Sequence, residues 1–112
     1  MGVDLYLCED PCKTCNHQPI CVADESYTYN VSRMWYKVYP ADKYMVQIEG
    51  MKGKQAYKKL AHAKKVMEEN KEEFEAMNPL NGWGSYEGFL GFIEKLMKHS
   101  LDYPKIEWSA CR

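Results

Sequence analysis

Residues 78–92, NPLNGWGSYEGFLGF, close one long amphipathic pattern and open a second. Any fold of this chain must therefore set two helices against each other across a short turn. Upstream of the turn, Ala56, Leu60, Ala63, Met67, Phe74 and Met77 recur at steps of three and four, with Asn70 in the one gap. That spacing predicts a single helix over 54–77. Its charges oppose the helix dipole: Lys54, Lys58, Lys59, Lys64 and Lys65 come first, and Glu68, Glu69, Glu72, Glu73 and Glu75 follow. The packed stripe must hold this helix, and Asn78-Pro79 ends it. Ser85 is placed to cap a second long helix over 86–100, whose apolar face is Phe89, Leu90, Phe92, Ile93, Leu96 and Met97. Gly88 and Gly91 inside it each cost about 1 kcal/mol relative to Ala. A close approach by another backbone or a ligand would account for them.

The N-terminal half reads differently. Val3, Leu5 and Leu7 alternate with Asp4, Tyr6 and Cys8, the period of a strand with one buried face. Residues 20–29, rich in Val, Tyr and Thr, predict a second strand. Asn30 is placed to cap a short helix over 31–39, stopped by Pro40. Residues 41–53 are irregular, with a short extended piece at 44–48. Near the C-terminus, Ile106, Trp108 and Ala110 alternate with Lys105, Glu107 and Ser109, predicting a third strand that pairs with the first. The expected fold is α+β: one domain over 1–112, with three helices on a small, mainly antiparallel sheet and a cysteine-rich hairpin loop near the N-terminus.

A formal net charge of -1, from 15 basic and 16 acidic residues, argues against nucleic acid or an anionic membrane as the main partner. No apolar run reaches the length of about 18 residues that a membrane span needs. The first residues lack the basic start of a secretory signal. The expected location is thus cytoplasmic, where thiols stay reduced. Five cysteines are present, and four of them follow the spacing Cys8-x3-Cys12-x2-Cys15-x5-Cys21. Cys-x2-Cys followed by Asn16, a residue that tolerates positive φ, has the geometry of a zinc knuckle. Cys8, Cys12, Cys15 and Cys21 are the candidate ligands of one structural zinc ion, with His17 as an alternate. Free thiols on a hairpin, or a redox dithiol, are the competing readings. Cys111 is a bystander.

Two polar clusters stand out. In the turn at 78–88, Asn81-Gly82 and Gly84 allow unusual backbone angles. The N–H groups near 85–87 could receive an anion at a helix start, and Trp83 and Tyr86 offer flat faces to a base or a peptide aromatic. The other reading is a plain connector, in which Ser85 only caps. The second cluster lies at 27–33, where Tyr29, Asn30 and Arg33 sit between a strand and a helix, and Arg33 could clamp a phosphate or carboxylate. If the two clusters face each other, Tyr29, Asn30, Arg33, Asn81, Trp83, Ser85 and Tyr86 would form one site for a small anionic or nucleotide-like ligand. No nucleophile, P-loop or dinucleotide motif is present. Glu87 with Tyr86 or Arg33 is the only acid/base set, so the reading is of a protein without catalysis.

Tyr27 to Met34 (YTYNVSRM), the NPLNGWGSYEG turn, the N-terminal Cys-x2-Cys and the spacing of Gly53 and Ala56 carry a resemblance. On these landmarks the chain resembles a family of small uncharacterised proteins found in bacteriophages and bacterial genomes. Arg33 stands where similar chains often have Pro. The resemblance implies a small phage-type binding protein in the host cytoplasm. It would inhibit host defence by sequestering a nucleotide signal or by blocking a host protein. The alternative is a zinc-stabilised interaction module that docks a protein or a second copy of itself.

Overall fold

The computed structural model describes residues 2–8 and 21–111. The architecture is α+β, with helices packed on one face of a three-stranded antiparallel sheet. Strand β1 (Gly2–Cys8) is central, between β2 (Cys21–Thr28) and β3 (Trp108–Cys111). The alternation in β1 decides which face is covered. Val3, Leu5 and Leu7 are fully buried, while Asp4 is exposed. The register sets Leu7 between Ala23 and Trp108, and Leu5 between Glu25 and Ala110. Glu25 thus occupies a core-facing position, where its Oε2 lies 2.8 Å from His99 Nε2.

Thr28, rather than Asn30, caps the next element. Its Oγ1 accepts from the Asn30 N–H at 3.2 Å and from Asn30 Nδ2 at 3.0 Å. One 3-10 turn (Tyr29–Val31) leads into helix α1 (Ser32–Val38), which buries Met34 and Trp35. The expected extended piece at 44–48 is a run of turns instead. Gln47 Oε1 accepts from the N–H groups of Lys43 and Tyr44, which folds this segment onto itself while Met45, Val46 and Ile48 enter the core. The segment is anchored by a half-buried ion pair, Lys59 Nζ to Asp42 at 2.7 Å. Asp42 also accepts from Trp35 Nε1 at 3.0 Å, and Lys59 donates to the Gln47 carbonyl at 2.9 Å.

The expected helix over 54–77 is two helices, α2 (Gly53–Glu69) and α3 (Lys71–Glu75). The break is at Asn70, whose backbone leaves the helical region at φ -123 and ψ 38. Its Nδ2 donates to the Val66 carbonyl at 2.9 Å, the same oxygen that its backbone N–H uses. Short polar side chains compete with the helix ladder in this way. Phe74 still reaches the core from α3.

Helix α4 (Tyr86–Asp102) runs antiparallel to α2. At one end, Tyr86 Oη donates to the Met67 carbonyl at 3.0 Å. At the other, Gly53 lies against the carbonyls of Ser100 and Tyr103, where a Cβ has no room. The first N–H groups of α2 are satisfied from the chain that follows α4: Gly53 donates to Ile106 and Lys54 to Pro104. Backbone bonds between Trp108 and residues Gly50 and Met51 fasten β3 to the same place. No helix among the described residues is long and apolar enough to cross a membrane.

Cys8 and Cys21 face each other at the ends of β1 and β2 and are joined as a disulfide. A disulfide sulfur has no thiolate charge with which to bind zinc. In this state the two residues are not the metal ligands expected of them. Cys12, Cys15 and His17 lie outside the described residues. Cys111 is an exposed free thiol on β3.

Candidate functional site

The two polar clusters meet, with the expected Ser85 on one side but Tyr27, rather than Tyr29, Asn30 or Arg33, on the other. The Ser85 N–H donates to Tyr27 Oη at 3.2 Å. The Tyr27 ring stacks on Phe89 and Phe92, with centroids 6.0 and 5.5 Å away. A Cβ on Gly88 would strike the Tyr27 hydroxyl, and one on Gly84 would lie 2.7 Å from Thr28 Cγ2. These glycines make room for side chains of the 27–31 corner, not for a backbone or a ligand. No described residue lies within 4 Å of a Cβ on Gly91, and nothing among the described residues explains this glycine.

The start of α4 is already supplied with acceptors. Tyr27 takes the Ser85 N–H, Asn78 Oδ1 takes the Tyr86 N–H at 2.7 Å, and Ser85 Oγ takes the Gly88 N–H at 3.0 Å. An anion at this terminus would have to displace them. Tyr86, expected to offer a flat face, is only 3% exposed and packs beside Phe74. Its phenol is raised above the usual range, first by burial and then by Glu68, Glu75 and Glu87, so it stays protonated. Ser85 is the helix cap. Asn81 Oδ1 accepts from the Trp83 N–H at 2.9 Å and shapes the turn. Gly82 and Gly84, at φ 77 and 92, supply the left-handed backbone that it needs.

Beside the exposed Asn78 and Asn81, the turn presents two large apolar side chains outward. Trp83 is 69% exposed and Leu80 fully so. Trp83 borders a shallow open depression of about 430 Å³, shared with Gly2, Asp4, Ser26, Tyr27 and Thr28. Among the described residues, Asp4 is the one charged residue in that lining. Arg33 is exposed on α1, Tyr29 and Asn30 belong to the 3-10 turn, and none of the three lines the depression. Glu87 is exposed at the start of α4, while Tyr86, its expected partner in acid/base chemistry, is in the core.

Another half-buried polar group, Asp42–Lys59 with Trp35 and Tyr39, lies elsewhere. Lys59 Nζ sits 4.9 Å from the Tyr39 ring centroid, and Tyr39 Oη donates to the Lys59 carbonyl at 2.8 Å. Burial first, and Asp42 second, push the Tyr39 phenol up to about 12. Its bonds all run between chain segments, so its role is to bind residues 39–48 to α1 and α2. No spacing in the sequence signals it, because Asp42 and Gln47 fall in the irregular segment.

Comparison of the chain with protein families, with curated proteins and with solved structures finds no match.

Proposed function

We propose that the chain is a non-catalytic binding protein that engages a macromolecular partner through the tip of the 78–84 turn. The observation that carries this reading is the exposure of Leu80 and Trp83 on a turn held by its own hydrogen bonds. Large apolar side chains kept in water on a fixed loop are the usual anchors of protein interfaces, and Trp is prominent among them. A protein partner is favoured over an anionic nucleotide. The depression is open, its one lining charge among the described residues is negative, and the N–H groups of Ser85, Tyr86 and Gly88 already have acceptors. With the family resemblance, the reading becomes a phage-type protein that blocks a host protein in the cytoplasm.

The test is site-specific photo-crosslinking in cells that make the protein. A crosslinking residue placed at Trp83 or Leu80 is expected to give one discrete adduct, and the same residue at the exposed Lys65 none. Equal adducts at all three positions, or none at any, would reject the reading.

A second reading is supported by the pairing of Cys8 with Cys21 at the mouth of the cysteine loop. In reduced protein this pair would supply two thiolates, and Cys12 and Cys15 the other two, for a structural zinc ion. Metal analysis of protein purified under reduction is expected to give one zinc per chain, lost in Cys8→Ser. Metal-free reduced protein removes this reading.

A further inference from the structure

Among the described residues, nothing covers the face of the sheet turned away from the helices, and its charges are of one sign. On it, Asp4 pairs with Ser26 and Cys111, and Tyr6 pairs with Asp24 and Ser109. Two adjoining depressions share Asp4 and Ser26. One is the Trp83 depression, and the other, about 180 Å³, is lined by Asp4, Tyr6, Asp24, Glu25 and Ser26. Together they make a shallow track from the Trp83 indole across the ends of β1 and β2. Among the described residues, no Lys or Arg lines either one. Glu25 is engaged by His99, but Asp4 and Asp24 have no ion-pair partner among the described residues. The Tyr6 phenol between them is raised, first by desolvation and then by Asp4, Cys111 and Asp24.

Strand β2 is also the outer strand on this side of the sheet. Its far edge pairs with no other strand among the described residues. An outer strand offers free backbone groups to an added strand, with specificity set by alternate side chains. A segment laid along β2 would send every second side chain over the open face, toward Asp24 and Asp4, with its end near Trp83. Cationic side chains fit there by charge, and an indole face also attracts a cation.

We propose that the surface formed by the β2 edge, the Asp4–Asp24 face and Trp83 docks an extended, basic segment of a partner protein, adding it as a fourth strand. The proposal rests on the Trp83 tip being a contact site and adds the chemistry of what it contacts. A nucleic acid would meet carboxylates and no cationic side chain among the described residues lining this surface. Among the described residues no group of three or more His, Cys, Asp or Glu side chains is placed to hold a metal ion.

Trp83 makes the test direct, because Trp35 and Trp108 are fully buried and Trp83 is the exposed tryptophan. The probes are two acetylated, amidated peptides of the length of β2, one alternating Arg with Val and the other alternating Glu with Val. The readouts are tryptophan emission and calorimetry. The Arg peptide is expected to shift Trp83 emission and to weaken as salt is raised, and the Glu peptide to do neither. Asp4→Asn with Asp24→Asn is expected to weaken the Arg peptide by roughly tenfold or more, the loss of at least one charge-assisted contact. A thermal melt like that of the unmodified protein shows that the variant is folded.

Equal binding of both peptides, or no response to the Arg peptide, overturns the proposal. So does an unchanged affinity in the folded double variant. All three outcomes leave the crosslinking test of the Trp83 tip standing, so the two claims fail separately. Self-association abolished by Trp83→Ala would place a second copy on this surface and would also overturn it.

Discussion

Tyr27 and Ser85, 58 residues apart in sequence, are joined by a 3.2 Å hydrogen bond that locks the end of β2 onto the start of α4. The bond works together with the stacking of the Tyr27 ring on Phe89 and Phe92. Tyr27→Phe keeps the ring and loses the bond, for an expected cost of about 1 kcal/mol. Gly88→Ala pushes the Tyr27 hydroxyl out of place and strains the stack as well, for about 1–3 kcal/mol. Urea unfolding followed by circular dichroism measures both. An Ala variant no less stable than the Phe variant would show that the glycine is not required by the ring.

Gly91 is the opposite case. It sits inside α4 with nothing near the position of a Cβ. Gly91→Ala is expected to stabilise the protein by about 1 kcal/mol through helix propensity alone. A loss of stability would show that this position needs something the folded chain does not display.

The Asp42–Lys59 pair is only 16% exposed on each side, so its partners do not fall back on water. Lys59→Met leaves the Asp42 carboxylate with only the Trp35 N–H. An expected cost of about 2–3 kcal/mol reflects partial rather than complete burial. Asp42→Asn keeps an acceptor for Trp35 and should cost less. Amide hydrogen exchange over residues 39–48 locates the loss, which should concentrate there.

Alkaline stability reports on Tyr39. Its phenol titrates at about 12 in the folded chain against a usual value of 10.0. Below pH 10 both states hold the proton, and the full contribution of Tyr39 is present. Between pH 10 and about 12 the unfolded chain releases its proton while the folded chain keeps it, so stability falls. Tyr39→Phe is expected to flatten this part of the profile. Urea midpoints across the interval, in both proteins, give the difference, and parallel profiles would contradict it.

Peptide mapping without reduction is expected to recover Cys8 linked to Cys21 and Cys111 alkylated. Closing a short loop of this kind contributes roughly 2–3 kcal/mol. Reductant, or Cys8→Ser, should lower the unfolding midpoint accordingly. Full alkylation of Cys8 and Cys21 in native protein without reductant would show that the bond is absent.

The elements that were legible in the sequence carry a strict period. The two-residue alternation of β1 and the three-and-four step of Leu60, Ala63 and Met67 survive intact. The break at Asn70 is invisible to periodicity because it comes from one amide reaching back to Val66. Tyr86 reads as a surface aromatic only if its spacing to Phe89 and Ile93 is ignored; on that spacing it shares the buried face. The meeting of the 27–31 corner with the turn was open to conjecture from composition. Which atoms meet was not, since that depends on two glycines yielding space to Tyr27 and Thr28. The acidic track on the open sheet face has no local signal at all. Asp4 and Asp24 become neighbours only once the β1–β2 register is set.

The order of the sheet governs when the molecule can close. Strand β1 is made before β2 and β3 and takes its second neighbour from β3, about a hundred residues later. A growing chain can pair β1 with β2 early, a local contact that forms quickly. The flank of β1 that accepts β3, and the α2 N–H groups that need the carbonyls of Pro104 and Ile106, wait until those residues emerge. The described sheet is therefore completed by β3. A nascent chain halted before β3 should carry an open sheet edge that chaperones can recognise and that finished molecules conceal.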